Sequence, residues 1–172
     1  MRRFPWRWVL VGILLLGVVA IFYVDRRAPE ALTRRGRALV NNKEYPQAID
    51  SFNRAIEIDS EYAPAYHGRG AAHFNQGEWD QAIADFSEAI RLDPNDARAL
   101  HDRSVAYSRT GDLERALADL GEAIRVDPGY ARAYLARSQV YAKKGNEAQA
   151  KADRQKAAEL DPTLDKSGDG NP

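Results

Sequence analysis

The side chains with the most chemistry to offer are three histidines and a series of regularly spaced arginines. His67 and His101 stand 34 residues apart, and Asp102 follows the second of them. Imidazoles and a carboxylate are metal-ligand types, but a metal centre needs more ligands than these positions and His73 supply. The sequence contains no His-Glu-x-x-His pair, no nucleophile elbow and no glycine-rich phosphate loop after a strand. It has no cysteine, which excludes disulfides, thiolate metal sites and a cysteine nucleophile. We therefore expect no catalytic residues, no cofactor and no metal, hence not an enzyme.

The arginines are more regular. Arg35, Arg69, Arg103 and Arg137 recur at a constant interval, and Ser51, Asp85, Asp119 and Asp153 follow them by 16 residues, with Asp50 beside the first. Such a series could present a basic ladder to an anionic ligand. It could equally pair each arginine with its own aspartate, satisfying charges that are costly to bury alone. Because an aspartate accompanies the arginine in three of the four cases, the internal pair is the expectation, Arg103 with Asp119 in particular.

The elements that position these residues come from an internal repeat. Residues 63–96 and 97–130 align without a gap and are identical at 15 of 34 positions, far too many for chance. The register extends back to 29–62 and forward to 131–164. Counting from the start of each block, position 15 is Gly77, Gly111 and Gly145, suited to the left-handed turn that ends a helix. In the first block Lys43 stands there, with Asn42 beside it able to take a similar conformation. Position 32 is Pro94, Pro128 and Pro162, which stops a second helix, and Pro46 suits the start of one. Position 8 is Gly36, Gly70, Ser104 and Ser138; positions 20 and 27 are alanine in every block. Small residues at fixed sites let helices approach, while Leu32, Tyr66, Leu100 and Tyr134 at position 4 and Phe52, Phe86 and Leu120 at position 24 fill the space between them.

This pattern resembles the tetratricopeptide-repeat (TPR) family, which has a 34-residue period with small residues at 8, 20 and 27 and proline at 32. The resemblance implies an all-α, right-handed solenoid of four helix–turn–helix units over residues 29–62, 63–96, 97–130 and 131–164. The last unit departs from the pattern with Glu147, Lys151 and Arg154 where other units are apolar. That suits the polar outer face a terminal repeat needs, so no fifth repeat is expected. Residues 165–172 read as a polar, disordered tail.

The resemblance also implies a partner-binding groove lined by the first helix of each unit. Its candidate residues are Arg34, Arg37, His67, Phe74, Asn75, Arg98, His101, Arg109, Arg132, Leu135 and Lys143. Cations outnumber anions among the groove positions, so the expected partner is a protein or peptide that is acidic or carries a free C-terminal carboxylate. Thr33 and Arg37 replace the Lys and Asn with which some family members hold a chaperone's terminal carboxylate, which argues against that particular ligand.

Residues 8–24 form an apolar run without a charge, between the basic tail 1–7 and a linker at 25–28. As a helix the run spans about 25 Å, close to the ~30 Å hydrocarbon core, and Trp6, Trp8 and Tyr23 sit where interfacial rings belong. It reads as a transmembrane signal anchor, a cleaved signal peptide being the alternative. Arg2, Arg3 and Arg7 favour a cytoplasmic N-terminus and extracytoplasmic repeats, while Arg34, Arg35 and Arg37 pull towards the alternative, cytoplasmic repeats. The 25 basic residues balance 25 acidic ones, without the excess of a nucleic-acid binder. The functional expectation is a single-pass, membrane-anchored scaffold or adaptor that binds a partner protein or peptide. The alternative is a self-associating module forming a homo-oligomer, although Gly12 and Gly17 make no GxxxG motif.

Overall fold

Every repeat's breaker residues divide it into two helices, and the helices stack in chain order. The computed structural model describes residues 28–164. The elements are α1 (residues 28–41), α2 (Tyr45–Ile58), α3 (Ala63–Gln76), α4 (Trp79–Leu92), α5 (Ala97–Thr110), α6 (Leu113–Val126), α7 (Ala131–Lys143) and α8 (Glu147–Leu160). Each helix packs on the next, and the first helices α3, α5 and α7 also stand side by side. Among the described residues the fold is an all-α repeat solenoid of four helical hairpins.

The turns follow from single residues. Gly77, Gly111 and Gly145 sit at φ of 80°, 87° and 75°, where a Cβ is penalised. In the first unit Lys43 itself takes the left-handed conformation, at φ 62°; the neighbouring Asn42, which looked suited to it, does not. Between units, Asp59, Asp93, Asp127 and Asp161 each accept a hydrogen bond from the backbone N–H two residues on, at 2.9–3.2 Å. This side-chain turn explains how Ser60 can replace the proline of the other units without loss of the bend.

The core is a column of alanines and large apolar residues. Phe52, Phe86 and Leu120 are almost fully buried. A Cβ on Gly36 would fall 2.7 Å from the Phe52 ring, and one on Gly70 2.8 Å from that of Phe86. Where position 24 shrinks to Leu120, position 8 grows to Ser104, whose Oγ donates to the His101 carbonyl at 2.6 Å. The two positions therefore exchange volume across the hairpin. In α8, Glu147, Lys151 and Arg154 are exposed, as a polar outer face requires.

The arginine series is internal. Arg69, Arg103 and Arg137 make bidentate pairs with Asp85, Asp119 and Asp153, at 2.6–2.9 Å. The remaining guanidinium nitrogen reaches back into the preceding unit, from Arg69 to Asn53 (2.6 Å) and from Arg103 to Ser87 (3.0 Å). Arg69 and Arg103 thus each tie two helices of one unit to the unit before. The first unit lacks the pair: Arg35 is exposed and Ser51 donates to the Gln47 carbonyl. The residue corresponding to Ser87 in the third unit is Gly121, so Arg137 has no such third bond, and a Cβ at Gly121 would meet nothing within 4 Å. Gly121→Ser should raise stability by about 1 kcal/mol through helix propensity and a new bond to Arg137. A urea midpoint at or below that of wild type contradicts this account of the ladder.

The expected membrane placement is corrected. The helices with both ends described run 13 or 14 residues, about 20 Å each and well short of a ~30 Å hydrocarbon core. No helix among the described residues is long and apolar enough to cross a membrane. Single-pass membrane localisation, and with it the extracytoplasmic position of the repeats, is therefore not supported. Residues 8–24, on which that expectation rested, lie outside the described residues, as do the tail 1–7 and residues 165–172.

Candidate functional site

The face built by α3, α5 and α7 carries two depressions in series. The first, of about 270 Å³, lies between α3 and α5 and is lined by Ala71, Phe74, Asn75, Phe86, His101, Asp102 and Val105. Phe74 is fixed edge-on against Trp79, ring centres 4.8 Å apart. The second, also about 270 Å³, lies between α5 and α7, with Arg109 and Lys143 among its lining residues. Val105 belongs to both.

Helical spacing explains the lining. Ala71, Phe74 and Asn75 lie on one face of α3, and Asp102, Val105 and Arg109 follow one another at spacings of three and four along α5, with His101 four residues before Val105. The lining stays open because its members are small at Ala71 and Ala136, which leave space between adjacent first helices.

Asp102 is the polar centre of the first depression. His67 Nε2 lies 2.9 Å from its Oδ2 and His101 Nδ1 2.9 Å from its Oδ1. An ionised carboxylate only accepts, so His67 carries a proton on Nε2 and His101 one on Nδ1. Burial pushes the Asp102 carboxyl up, but the hydrogen bonds from His101 and His67 and their charges outweigh it and hold the group at about 2. The ring of His67 packs on Phe86 and that of His101 on Tyr130, each at 5.5 Å between centres. Burial, then the nearby Asp102 charge, pushes the Tyr130 phenol up. No group of three or more His, Asp or Glu side chains is arranged to hold a metal ion among the described residues.

The structure brings some of the candidate residues together and separates others. Phe74, Asn75 and His101 line the first depression, and His67 reaches it through Asp102. Arg109 and Lys143 line the second, where Lys143 Nζ donates to Ser108 at 2.8 Å. Arg98 lies apart, at the start of α5, in a hollow formed with Asp93, Asp96, Asp127 and Tyr130, and its Nε is 3.6 Å from Asp96. Arg34, Arg37 and Arg132 are exposed and Leu135 is half-buried; none of the four lines either depression. Sequence reasoning counted Asp102 and Val105 among the groove positions and weighed Asp102 beside the two histidines as a metal ligand; it did not place Phe86 at the site. The adjacency of Asp102 to His101, which stands one unit after His67, was the available signal.

Comparison with known proteins agrees with this architecture. Family models described as tetratricopeptide repeat match residues 63–96, 86–118 and 131–164, and one described as TPR repeat matches 36–77 and 106–145. The crystal structure of MamA is similar at 26% identity and a TM-score of 0.73, over 86% of each chain. The first TPR domain of Spaghetti (RPAP3), solved with the HSP90 peptide SRMEEVD, shares the fold at 19% identity and a TM-score of 0.67, over 69% of this chain and 94% of that one. A curated relative, the DnaJ protein P58IPK homolog B of Oryza sativa subsp. japonica, is 32% identical over 69 residues. The match covers 38% of this chain and only 15% of that protein's length. With family matches running without a gap from residue 36 to residue 164, the chain belongs to the tetratricopeptide-repeat family, whose fold serves as a protein–protein interaction module.

Proposed function

We propose that this chain is a scaffold that binds a segment of a partner protein along the α3–α5–α7 face. One observation carries the reading: two depressions of equal volume follow one another across neighbouring units and share Val105, so a single segment can occupy both. The first offers aromatic and aliphatic contacts at Phe74 and Val105, and the second offers the cations Arg109 and Lys143. Charge complementarity speeds the encounter, while buried apolar contacts hold the complex. The peptide held by the RPAP3 domain, which contains acidic residues, supports a ligand of this general kind.

The test uses a peptide selected from a random 12-residue display library against the full chain. Arg109→Glu with Lys143→Glu should weaken its binding about tenfold at low salt and flatten the salt dependence. Wild-type affinity and an unchanged salt slope in the double variant would place the ligand elsewhere.

A further inference from the structure

The two depressions differ in charge although they are equal in size. Arg109 and Lys143 make the second one cationic. The first contains no lysine or arginine, and its carboxylate, Asp102, is held by the His101 imidazole that lines it and by His67. Over a third of the Asp102 side chain, 37%, stays open to solvent in the groove. Each carboxylate oxygen accepts one imidazole N–H and keeps a further lone pair for a ligand. Ala71, Phe74 and Val105 give the depression an apolar wall over the buried Phe86 ring, and Asn75 and His101 are its other polar members.

We infer that the first depression takes a lysine or arginine side chain of the bound segment, its stem along Phe74 and Val105 and its charged head on Asp102. This deepens the proposed function and rests on it. The other occupants fit worse for stated reasons. A purely apolar side chain would strip water from a carboxylate and leave it without a compensating charge. An acidic side chain would meet a like charge. A long cationic side chain satisfies both halves of the pocket, because it buries its methylenes and keeps its head on the anion.

Charges around Asp102 leave the site in place. His67 from α3 and His101 from α5 donate to it, and Tyr130 lies beside His101. Arg98, one turn earlier on α5, is directed to Asp96. With a carboxyl held at about 2, Asp102 remains ionised at neutral pH.

The spacing of the ligand follows from the stacking of helices. Neighbouring helices pack ~8–10 Å apart, and an extended segment advances ~3.3 Å per residue. A basic residue in the first depression and an acidic one between Arg109 and Lys143 are therefore about three positions apart in the segment. This refines the expectation of a partner that is acidic or ends in a free carboxylate into one of alternating charge.

A double-mutant cycle with a peptide selected from the 12-residue library on the full chain tests this. Selected peptides should carry Lys or Arg about three residues from Asp or Glu. Replacing that peptide lysine by norleucine should weaken binding to wild type about fivefold, the scale of a partly exposed ion pair. The same replacement should change nothing in Asp102→Asn, an isosteric variant whose fold is checked by circular dichroism. If Asp102→Asn does not fold, the norleucine effect on wild type and its loss at high salt stand as the readout. Equal norleucine effects in both proteins, or selected peptides without a basic residue, overturn the inference. Peptides that bind Val105→Glu as tightly as wild type would instead overturn the groove itself.

Discussion

Gly68→Ala should destabilise the protein by about 2–3 kcal/mol, the cost of overpacking a filled core. A Cβ on Gly68 would lie 2.3 Å from Cε1 of Phe52. The ring has little room to retreat, because Phe52 is fully buried and Gly36 stands so close that a Cβ there would also fall 2.7 Å from it. Phe52 is thus held between glycines of α1 and α3, joining the first unit to the second. The chain contains its own repair of this conflict. In the third unit Leu120 stands at the phenylalanine position, and the residue matching Gly68 in the unit after it is Ala136. Phe52→Leu combined with Gly68→Ala should therefore recover much of the loss. A melting temperature for Gly68→Ala equal to that of wild type would show that the packing is not as described.

The second large effect concerns the ion-pair ladder. Asp119→Ala should lower stability by about 2–3 kcal/mol, between the value for exposed pairs and that for fully buried ones. The Asp119 side chain is 10% exposed and that of Arg103 19%. Removing the carboxylate leaves the Arg103 guanidinium among packed helices with Ser87 as its remaining hydrogen-bond partner. Asp119→Asn keeps an acceptor and should lose less. The exposed pair of Glu122 with Arg125 provides the contrast: Glu122→Ala should leave the urea midpoint where it is. Equal midpoints for Asp119→Ala and wild type would mean the ladder carries no structural load.

The fold was legible because its signals repeat. The glycines, prolines and alanines recur at fixed positions, so a single misreading is outvoted by three other units. The Arg103–Asp119 pair was legible for the same reason, since the 16-residue offset recurs with the same residue types. Its third bond was not, because the acceptors Asn53 and Ser87 differ in kind and the next unit has Gly121. Gly68 was missed because the residues at its position are Arg34, Gly68, Asp102 and Ala136. No common type marks that position, and the demand there is set by the ring of Phe52 from the previous unit.

The site was legible only in part. Listing groove positions as a set gave a cationic surface, but charge in a groove is local. Arg98 sits among aspartates at one end of α5 and Arg109 near Lys143 at the other. The His67–Asp102–His101 cluster needs the side-by-side placement of α3 and α5, which fixes a contact across 35 residues. The apolar run at 8–24 gave a strong compositional signal for a membrane span, yet no described helix has the length for one.

The central claim is that a partner segment lies across α3, α5 and α7, and Val105 is the residue common to both depressions. The most direct measurement is calorimetric binding of a library-selected 12-residue peptide to two variants that melt as wild type does. Val105→Glu, in the groove, should weaken binding by at least about tenfold, the cost of placing a charge in a central contact. Ala118→Glu, at an exposed position on α6, should bind as wild type does. Undiminished binding by Val105→Glu together with loss in Ala118→Glu would contradict the account.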